Sequence, residues 1–266
     1  MFRVLFMIFV VFVFTANAKE MSGFFGGAEL GLGYAELKTK QTHYTNQNQV
    51  RGGQTTINNN TKTQPHQSDY WYGNASYGIL AGYKQFFNKY FGLRYYADLN
   101  FLHVDFPITK IGTPHTSKSN INTTITREVT TTQTPATIIN YTANVDVLVN
   151  FVNLEKVIFG VFAGVGIGGF TWVEQSKNYT NLFFATNVGL RTSILQNHSI
   201  ELVARIPFVS QVQDKSRTNI AYFRQEIPAG YYGATEAITT TTIADLEILD
   251  SRKQSWNLAL RYIYSF

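Results

Sequence analysis

The chain has 266 residues, a formal net charge of +5, no Cys and only 6 Pro, against 16 Tyr and 21 Phe. This is a strand-rich, sparsely charged composition, and an exported chain without Cys must draw its stability from packing or from a membrane rather than from disulfides. The basic residues form no run, so the charge gives no argument for a nucleic-acid partner, and beyond the first residues no stretch approaches about eighteen uninterrupted apolar residues, which excludes helical membrane spans.

The N-terminus reads Met1-Phe2-Arg3, then an unbroken apolar run from Val4 to Phe14, then Thr15-Ala16-Asn17-Ala18 before Lys19. A basic start, a short apolar stretch and an Ala-x-Ala ending form a three-part export signal, and the stretch is shorter than the roughly twenty residues a spanning helix needs. Residues 1–18 are therefore expected to be a signal peptide and residues 19–266 a single mature domain, whose charge falls by one with the loss of Arg3.

Beyond Lys19 the chain alternates with period two, the signature of strands with one apolar face. Looser alternation over Phe24–Leu37 and Trp71–Phe87 predicts the first two strands. In the third, Phe91, Leu93, Tyr95, Ala97, Leu99 and Phe101 alternate with Gly92, Arg94, Tyr96, Asp98 and Asn100. In the fourth, Ile139, Tyr141, Ala143, Val145, Val147, Val149 and Phe151 alternate with Asn140, Thr142, Asn144, Asp146, Leu148 and Asn150. Val157–Trp172 and Asn181–Leu195 are again looser; Ile200, Leu202, Ala204, Ile206 and Phe208 then set the seventh strand, and Trp256 to Phe266 the eighth.

A soluble sandwich with one wet face would alternate in the same way. Three features argue for a membrane instead. The strands are about ten to sixteen residues long, near the nine to eleven of a tilted membrane strand rather than the usual five or six. The apolar faces carry aromatics towards their ends, in the pairs Phe91 and Phe101, Tyr141 and Phe151, and Trp256 and Phe266, as interfacial girdles do. The connections alternate between turns (Phe87-Asn88-Lys89-Tyr90, Asn153-Leu154-Glu155-Lys156, Gln196-Asn197-His198) and long segments near 38–70, 107–137 and 213–251, with a shorter one at Glu174–Thr180. The expected fold is all-β: an eight-stranded antiparallel transmembrane β-barrel with long extracellular loops. The loops, rich in Thr, Asn and Gln, are read as flexible or weakly paired hairpin extensions with too few apolar residues for a core of their own.

The polar face of the strands holds Glu29, Lys84, Arg94, Asp98, Asp146, Arg191, Glu201, Arg205 and Arg261. An eight-stranded barrel has an interior just wide enough for side chains, so these charges must pair, and a plugged lumen of Arg–carboxylate pairs is expected rather than a pore.

Catalytic residues are harder to find. His43, His66 and His115 fall in long polar segments and His198 in a turn; only His103-Val104-Asp105 places a His and a carboxylate on one strand face, and no Ser nucleophile stands beside them. No catalytic site, cofactor or metal is assigned, since neither a His pair at ligand spacing nor an acidic calcium loop occurs. Gly164-Val165-Gly166-Ile167-Gly168-Gly169 lacks a phosphate-loop Lys and is read as a closely packed strand.

Several segments resemble the Helicobacter outer membrane protein family: Gly82-Tyr83-Lys84-Gln85-Phe86-Phe87, Phe91-Gly92-Leu93-Arg94-Tyr95-Tyr96, Asn144-Val145-Asp146-Val147-Leu148, Phe159-Gly160-Val161-Phe162-Ala163-Gly164, Asn187-Val188-Gly189-Leu190-Arg191-Thr192, Ile200-Glu201-Leu202 with Ile206-Pro207, and the Tyr-rich ending at Phe266. Together they touch about seven of the eight strands. The resemblance implies an outer-membrane location among lipid and lipopolysaccharide. The large adhesins of that family carry a Cys-containing domain before the barrel, which this chain lacks, so a short, barrel-only member is implied. Tyr262, Tyr264 and Phe266 are similar to the C-terminal signal that the barrel-assembly machinery reads. The expected function is structural or host- and envelope-contacting, with glycans or proteins as surface partners; a narrow porin-like channel is the alternative, and a lipid-modifying rim enzyme ranks third.

Overall fold

In the computed structural model, residue 20 and residues 22–154, 156–175, 177–195 and 197–266 are described. The expected signal peptide lies outside them, as do Glu155 and Gln196 of two predicted turns. Ten strands follow in order: β1 (Gly23–Arg51), β2 (Gln54–Lys62), β3 (His66–Phe86), β4 (Phe91–Lys118), β5 (Asn122–Asn153), β6 (Val157–Glu174), β7 (Asn178–Ile194), β8 (His198–Val209), β9 (Gln211–Ile227) and β10 (Ile238–Ser265). Strands β1, β3, β4, β5, β6, β7, β8 and β10 pair antiparallel in that order, and β10 returns to β1 to close the ring. These are the eight strands legible in the alternation.

The segments between them are hairpin extensions, as read, but they are paired along most of their length rather than flexible or weakly paired. β1 and β10 stay paired from Phe25↔Ser265 to Arg51↔Ile238, with a single register shift. β4 and β5 continue together to Lys118↔Thr123, and β9 pairs with β10 and also with the start of β5, from Asn122↔Gln225 to Thr126↔Ala221. The physical reason is composition: Thr, Ile and Val are β-branched and favour extended backbone, and a ladder satisfies backbone groups that a loose loop leaves to water. The wall of the ring thus rises well beyond the membrane at one end, here termed the loop end. The opposite end carries the short turns and both described termini, with the Phe266 N–H donating to the Phe24 carbonyl at 2.9 Å.

Within the ring every second side chain faces out. Leu30, Leu32, Ile79, Val145, Val147, Val165, Ile167, Leu190, Leu202, Leu258 and Leu260 are all exposed large apolar groups. They form a belt that only lipid covers favourably. Aromatics border it: Phe24 against Tyr83 and Tyr264 against Phe266 at the turn end, Tyr34 against Trp256 and Tyr77 against Phe101 at the loop end.

Above the belt the alternation reverses its meaning. In β4 the outward set passes from Leu99 and Phe101 to His103 and Asp105, while the inward set passes from Asp98 and Asn100 to Leu102, Val104 and Phe106. Water has replaced lipid outside, so the outward positions turn polar and the inward ones become apolar. β10 adds a bulge: Tyr34 faces Trp256 and Ala35 faces Gln254, leaving Ser255 as the extra residue. Below it Asn257, Ala259, Arg261, Ile263 and Ser265 point in; above it Gln254, Arg252, Ile248 and Leu246 do.

Candidate functional site

The lumen is filled by two layers of different chemistry. At the turn end, five acids (Glu20, Glu29, Asp98, Asp146, Glu201) and five bases (Lys84, Arg94, Arg191, Arg205, Arg261) lie buried together. Arg94 donates to Asp146 Oδ2 at 2.7 and 3.1 Å and to Glu201 Oε1 at 2.7 Å. Arg261 donates to Glu29 Oε2 at 2.8 and 3.1 Å, and its Nη1 lies 3.7 Å from Glu201 Oε2. Arg205 pairs with Asp98, which also accepts from Thr142 Oγ1 at 2.7 Å and Asn144 Nδ2 at 3.2 Å. Asn187 joins Arg205 to the Tyr96 hydroxyl and to Asn144.

Glu20 closes this layer from below, accepting from Lys84 Nζ at 2.8 Å and from Arg191 Nη1 at 2.8 Å. A buried ion left without a partner costs several kcal/mol, so equal numbers of each sign in contact are what makes the layer tolerable. Aromatic faces shield the guanidinium groups: Arg94 sits 4.8 Å from the Phe162 ring and 5.1 Å from Tyr96. β6 makes room by giving up side chains. Its inward Gly164, Gly166 and Gly168 lie opposite Asp146, Asn144 and Thr142, where an added Cβ would collide with Asp146 Oδ1, Asn144 Oδ1 and the Tyr141 carbonyl. The sequence reading of this glycine run as a closely packed strand agrees with that placement.

Above lies an apolar layer of Ala35, Leu37, Leu102, Val104, Phe106, Ala136, Ile138, Phe170, Trp172, Phe183 and Ala185. The Phe106 and Trp172 rings stack at 5.3 Å. Over this layer, at the loop end, Arg252 is bound to Glu174 at 2.6 Å and Lys177 to Asp214 at 2.9 Å. The Tyr179 hydroxyl donates to Asp214 Oδ2 at 2.8 Å. The hydrogen bond from Lys177, helped by that from Tyr179, holds the Asp214 carboxyl below the usual aspartate range. Burial, with the same bond to Asp214, pushes the Tyr179 phenol well above its ordinary value.

The structure brings all nine charged residues read from the strands into one network and adds Glu20, which sequence reasoning missed because it precedes the first strand. Its only signal was arithmetic: the nine hold five bases and four acids. The apolar layer and the Arg252–Glu174 pair were also missed. Tyr262, Tyr264 and Phe266 all face outward at the turn end, where the Tyr262 hydroxyl lies 2.7 Å from His198 Nδ1. His103 points out of the wall, with Nε2 at 3.0 Å from the Tyr77 hydroxyl and Nδ1 at 2.9 Å from Thr137 Oγ1. Both ring nitrogens are thus engaged by residues other than Asp105.

A closed ring of eight antiparallel strands, belted with apolar side chains and packed inside with paired charges, defines a transmembrane β-barrel of the outer-membrane type. The sequence profile of the family described as Helicobacter outer membrane protein matches residues 78–232, more than half of the chain, and the chain belongs to that family. No curated protein sequence matches it. Among solved structures it is similar to the outer membrane protein OprG from Pseudomonas aeruginosa, with 11% identity over 93% of this chain and 98% of that one, at a TM-score of 0.38. It is also similar to Ail, the attachment invasion locus protein of Yersinia pestis, with 11% identity over 86% of this chain and 99% of that one, at a TM-score of 0.24.

Proposed function

We propose that this outer-membrane barrel conducts nothing and serves as a surface protein, its loop end facing the cell exterior and contacting host or envelope components. The observation that supports a closed barrel is the charge-balanced, buried lumen network with an apolar layer stacked above it; neither layer offers an ion a hydrated path. An even number of strands with short connections at one end supports the orientation, since such barrels keep their termini and short turns on the periplasmic side. No reaction is assigned to His103 and Asp105, because they share no hydrogen bond and both His103 ring nitrogens are taken up by the Tyr77 and Thr137 hydroxyls on the outer wall, so no carboxylate orients the imidazole as a base.

On this reading the belt contacts outer-membrane lipid and lipopolysaccharide, and the outward Tyr262, Tyr264 and Phe266 are available to the barrel-assembly machinery during biogenesis. The β1–β2 and β4–β5 hairpins and the Tyr231–Tyr232 turn present hydroxyls, amides and aromatic rings to glycans or proteins. Two measurements test the proposal. Purified protein in planar bilayers is expected to give no stable conductance, and a large, steady open level would sink the closed barrel. Deleting residues 40–68 and 110–135 is expected to reduce binding to host cells, and unchanged binding would remove the contact role.

A further inference from the structure

A cavity of about 440 Å³ opens at the loop end, above the apolar layer and among β4, β5, β6, β7, β9 and β10. That is within the roughly 300–1,000 Å³ range of small-molecule sites. Its lining contains three cationic groups (Lys110, Lys177, Arg252) and three anionic ones (Glu174, Asp214, Asp250). Most are already paired with each other. Arg252 Nε donates to Glu174 Oε1 at 2.6 Å, Arg252 Nη2 lies 3.3 Å from Glu174 Oε2 and 3.6 Å from Asp250 Oδ2, and Lys177 holds Asp214. A charged ligand would have to displace one of these partners and would gain nothing from the net field of the lining.

Among the buried donors of this lining, Arg252 offers one more. Arg252 is buried to 2% exposure, and among the described residues its Nη1 has no hydrogen-bond acceptor. A buried polar group left unmatched costs about 1–3 kcal/mol, which an acceptor on a ligand would recover. The carboxylates keep lone pairs beyond those used by Arg252 and Lys177, so acceptors stand beside that donor. Thr109, Thr134, Gln175 and Ser216 add uncharged polar groups to the lining, and one apolar patch is built from Ile108, Ile111 and Ile248 with the ring of Tyr179, which packs 4.6 Å from the Arg252 guanidinium.

Adjacent donors and acceptors around a small apolar patch, with no net charge, match a ligand that alternates hydroxyls with C–H faces. We propose that this cavity binds a neutral saccharide: a ring or hydroxyl oxygen accepts from Arg252 Nη1, hydroxyls donate to Glu174 and Asp250, and the C–H face packs on the isoleucines. The proposal rests on the reading of the loop end as the outward contact surface and names the part of it that recognises sugar.

The test uses the full-length protein in detergent micelles and saturation-transfer NMR with galactose, N-acetylglucosamine and lactose, with inorganic phosphate and phosphocholine as ionic and zwitterionic controls. Transfer onto the C–H protons of at least one sugar is expected. Ser216→Trp, which fills the cavity while leaving every charged residue in place, should weaken that binding at least tenfold, as should R252K, which keeps the charge but loses the planar fork. Heat-dependent mobility on semi-native gels establishes that each variant is still a folded barrel, and S216W alone carries the test if R252K is not. Absence of transfer to all three sugars, transfer that S216W leaves unchanged, or binding of phosphocholine in their place would each overturn the proposal. If host-cell binding still depends on residues 40–68 when any of these is found, only the sugar cavity is lost; if the sugar binds and that dependence is absent, only the wider contact role is lost.

Discussion

The two layers of the lumen close the same cylinder by opposite means. Near the turn end, Glu201 lies within reach of three guanidinium groups, Arg94 at 2.7 Å and Arg191 and Arg261 at 3.7 Å, and the layer holds together because each charge fixes its neighbours. Near the loop end, Trp172, Phe106 and Leu102 carry no charge to pair; they exclude water by filling space. The difference follows from what lies outside. Where lipid takes the apolar side chains of a strand, the polar ones must turn inward and pair; where water surrounds the wall, the preferences exchange and the interior becomes an ordinary apolar core. The boundary falls between Phe101, Leu102 and His103 on β4 and at the Ser255 bulge on β10.

This contrast makes the charged layer sensitive to loss of one partner and the apolar layer sensitive to loss of volume. The largest effect is expected from Glu201→Ala, which takes one partner from each of three buried cations and leaves five bases against four acids. Removing one partner of a buried ion cluster costs about 3–5 kcal/mol. The measurement is urea unfolding of the refolded barrel in detergent or lipid, and a loss below about 1 kcal/mol would mean that the guanidinium groups are hydrated and the layer is not sealed. Trp172→Ala should cost about 3 kcal/mol, towards the lower end for a buried aromatic, because water at the mouth can enter the space vacated. It should still show no steady conductance in bilayers, since the charged layer below is intact. A channel opened by this one change would show that the apolar layer alone blocks ions.

Gly166→Val probes the seam between strand and network more mildly. Its side chain would enter the space of the Asn144 amide, and overpacking of this kind costs about 1–3 kcal/mol. Because Asn144 bonds both Asp98 and Asn187, the disturbance should spread through those residues, and the pairing of Gly166 with Asn144 predicts that G166V combined with Asn144→Ala unfolds at higher urea than G166V alone. Equal midpoints would show that the side chains do not meet.

The fold was legible wherever one environment acted on a whole strand. From Phe91 to Phe101, and again from Trp256 to Phe266, lipid lies on one face and the packed lumen on the other, and period two results. The charged site was legible for the same reason, since Arg94 or Glu201 on an inward position of a membrane strand has nowhere else to go. Glu20 carries no such mark because it lies outside the alternating segments and reaches Lys84 and Arg191 only by tertiary placement. The apolar layer was hidden by the reversal itself: Leu102, Val104 and Phe106 occupy positions that the phase of the preceding residues labels polar. In the long segments, polar Thr and Asn side chains masked backbone pairing, because outside the membrane a two-faced wet ladder shows little alternation, and the register of β1 on β10 depends on partners at opposite ends of the sequence, such as Arg51 and Ile238.

The smallest effect lies at the mouth, where the layers give way to solvent and charge pairing weakens. Asp214 is held below the usual aspartate range chiefly by its hydrogen bond from Lys177. A carboxylate depressed in the folded state stabilises it above the unfolded pKa, and that contribution is lost as the pH falls through the folded value. Stability from this pair should therefore be complete at neutral pH and decline only below about pH 4. Both partners are partly exposed, so the pair is worth less than about 1 kcal/mol. A carboxyl-carbon NMR titration reads it directly: Lys177→Met should raise the Asp214 midpoint, leaving only the weaker help of Tyr179 and Arg252, whereas the wild-type midpoint stays low. If K177M leaves the midpoint where it was, the Tyr179 hydroxyl rather than the lysine holds the carboxylate. The mouth would then be organised like the interior, by buried hydrogen bonds, and not by the exposed ion pair that sets it apart from the two layers beneath.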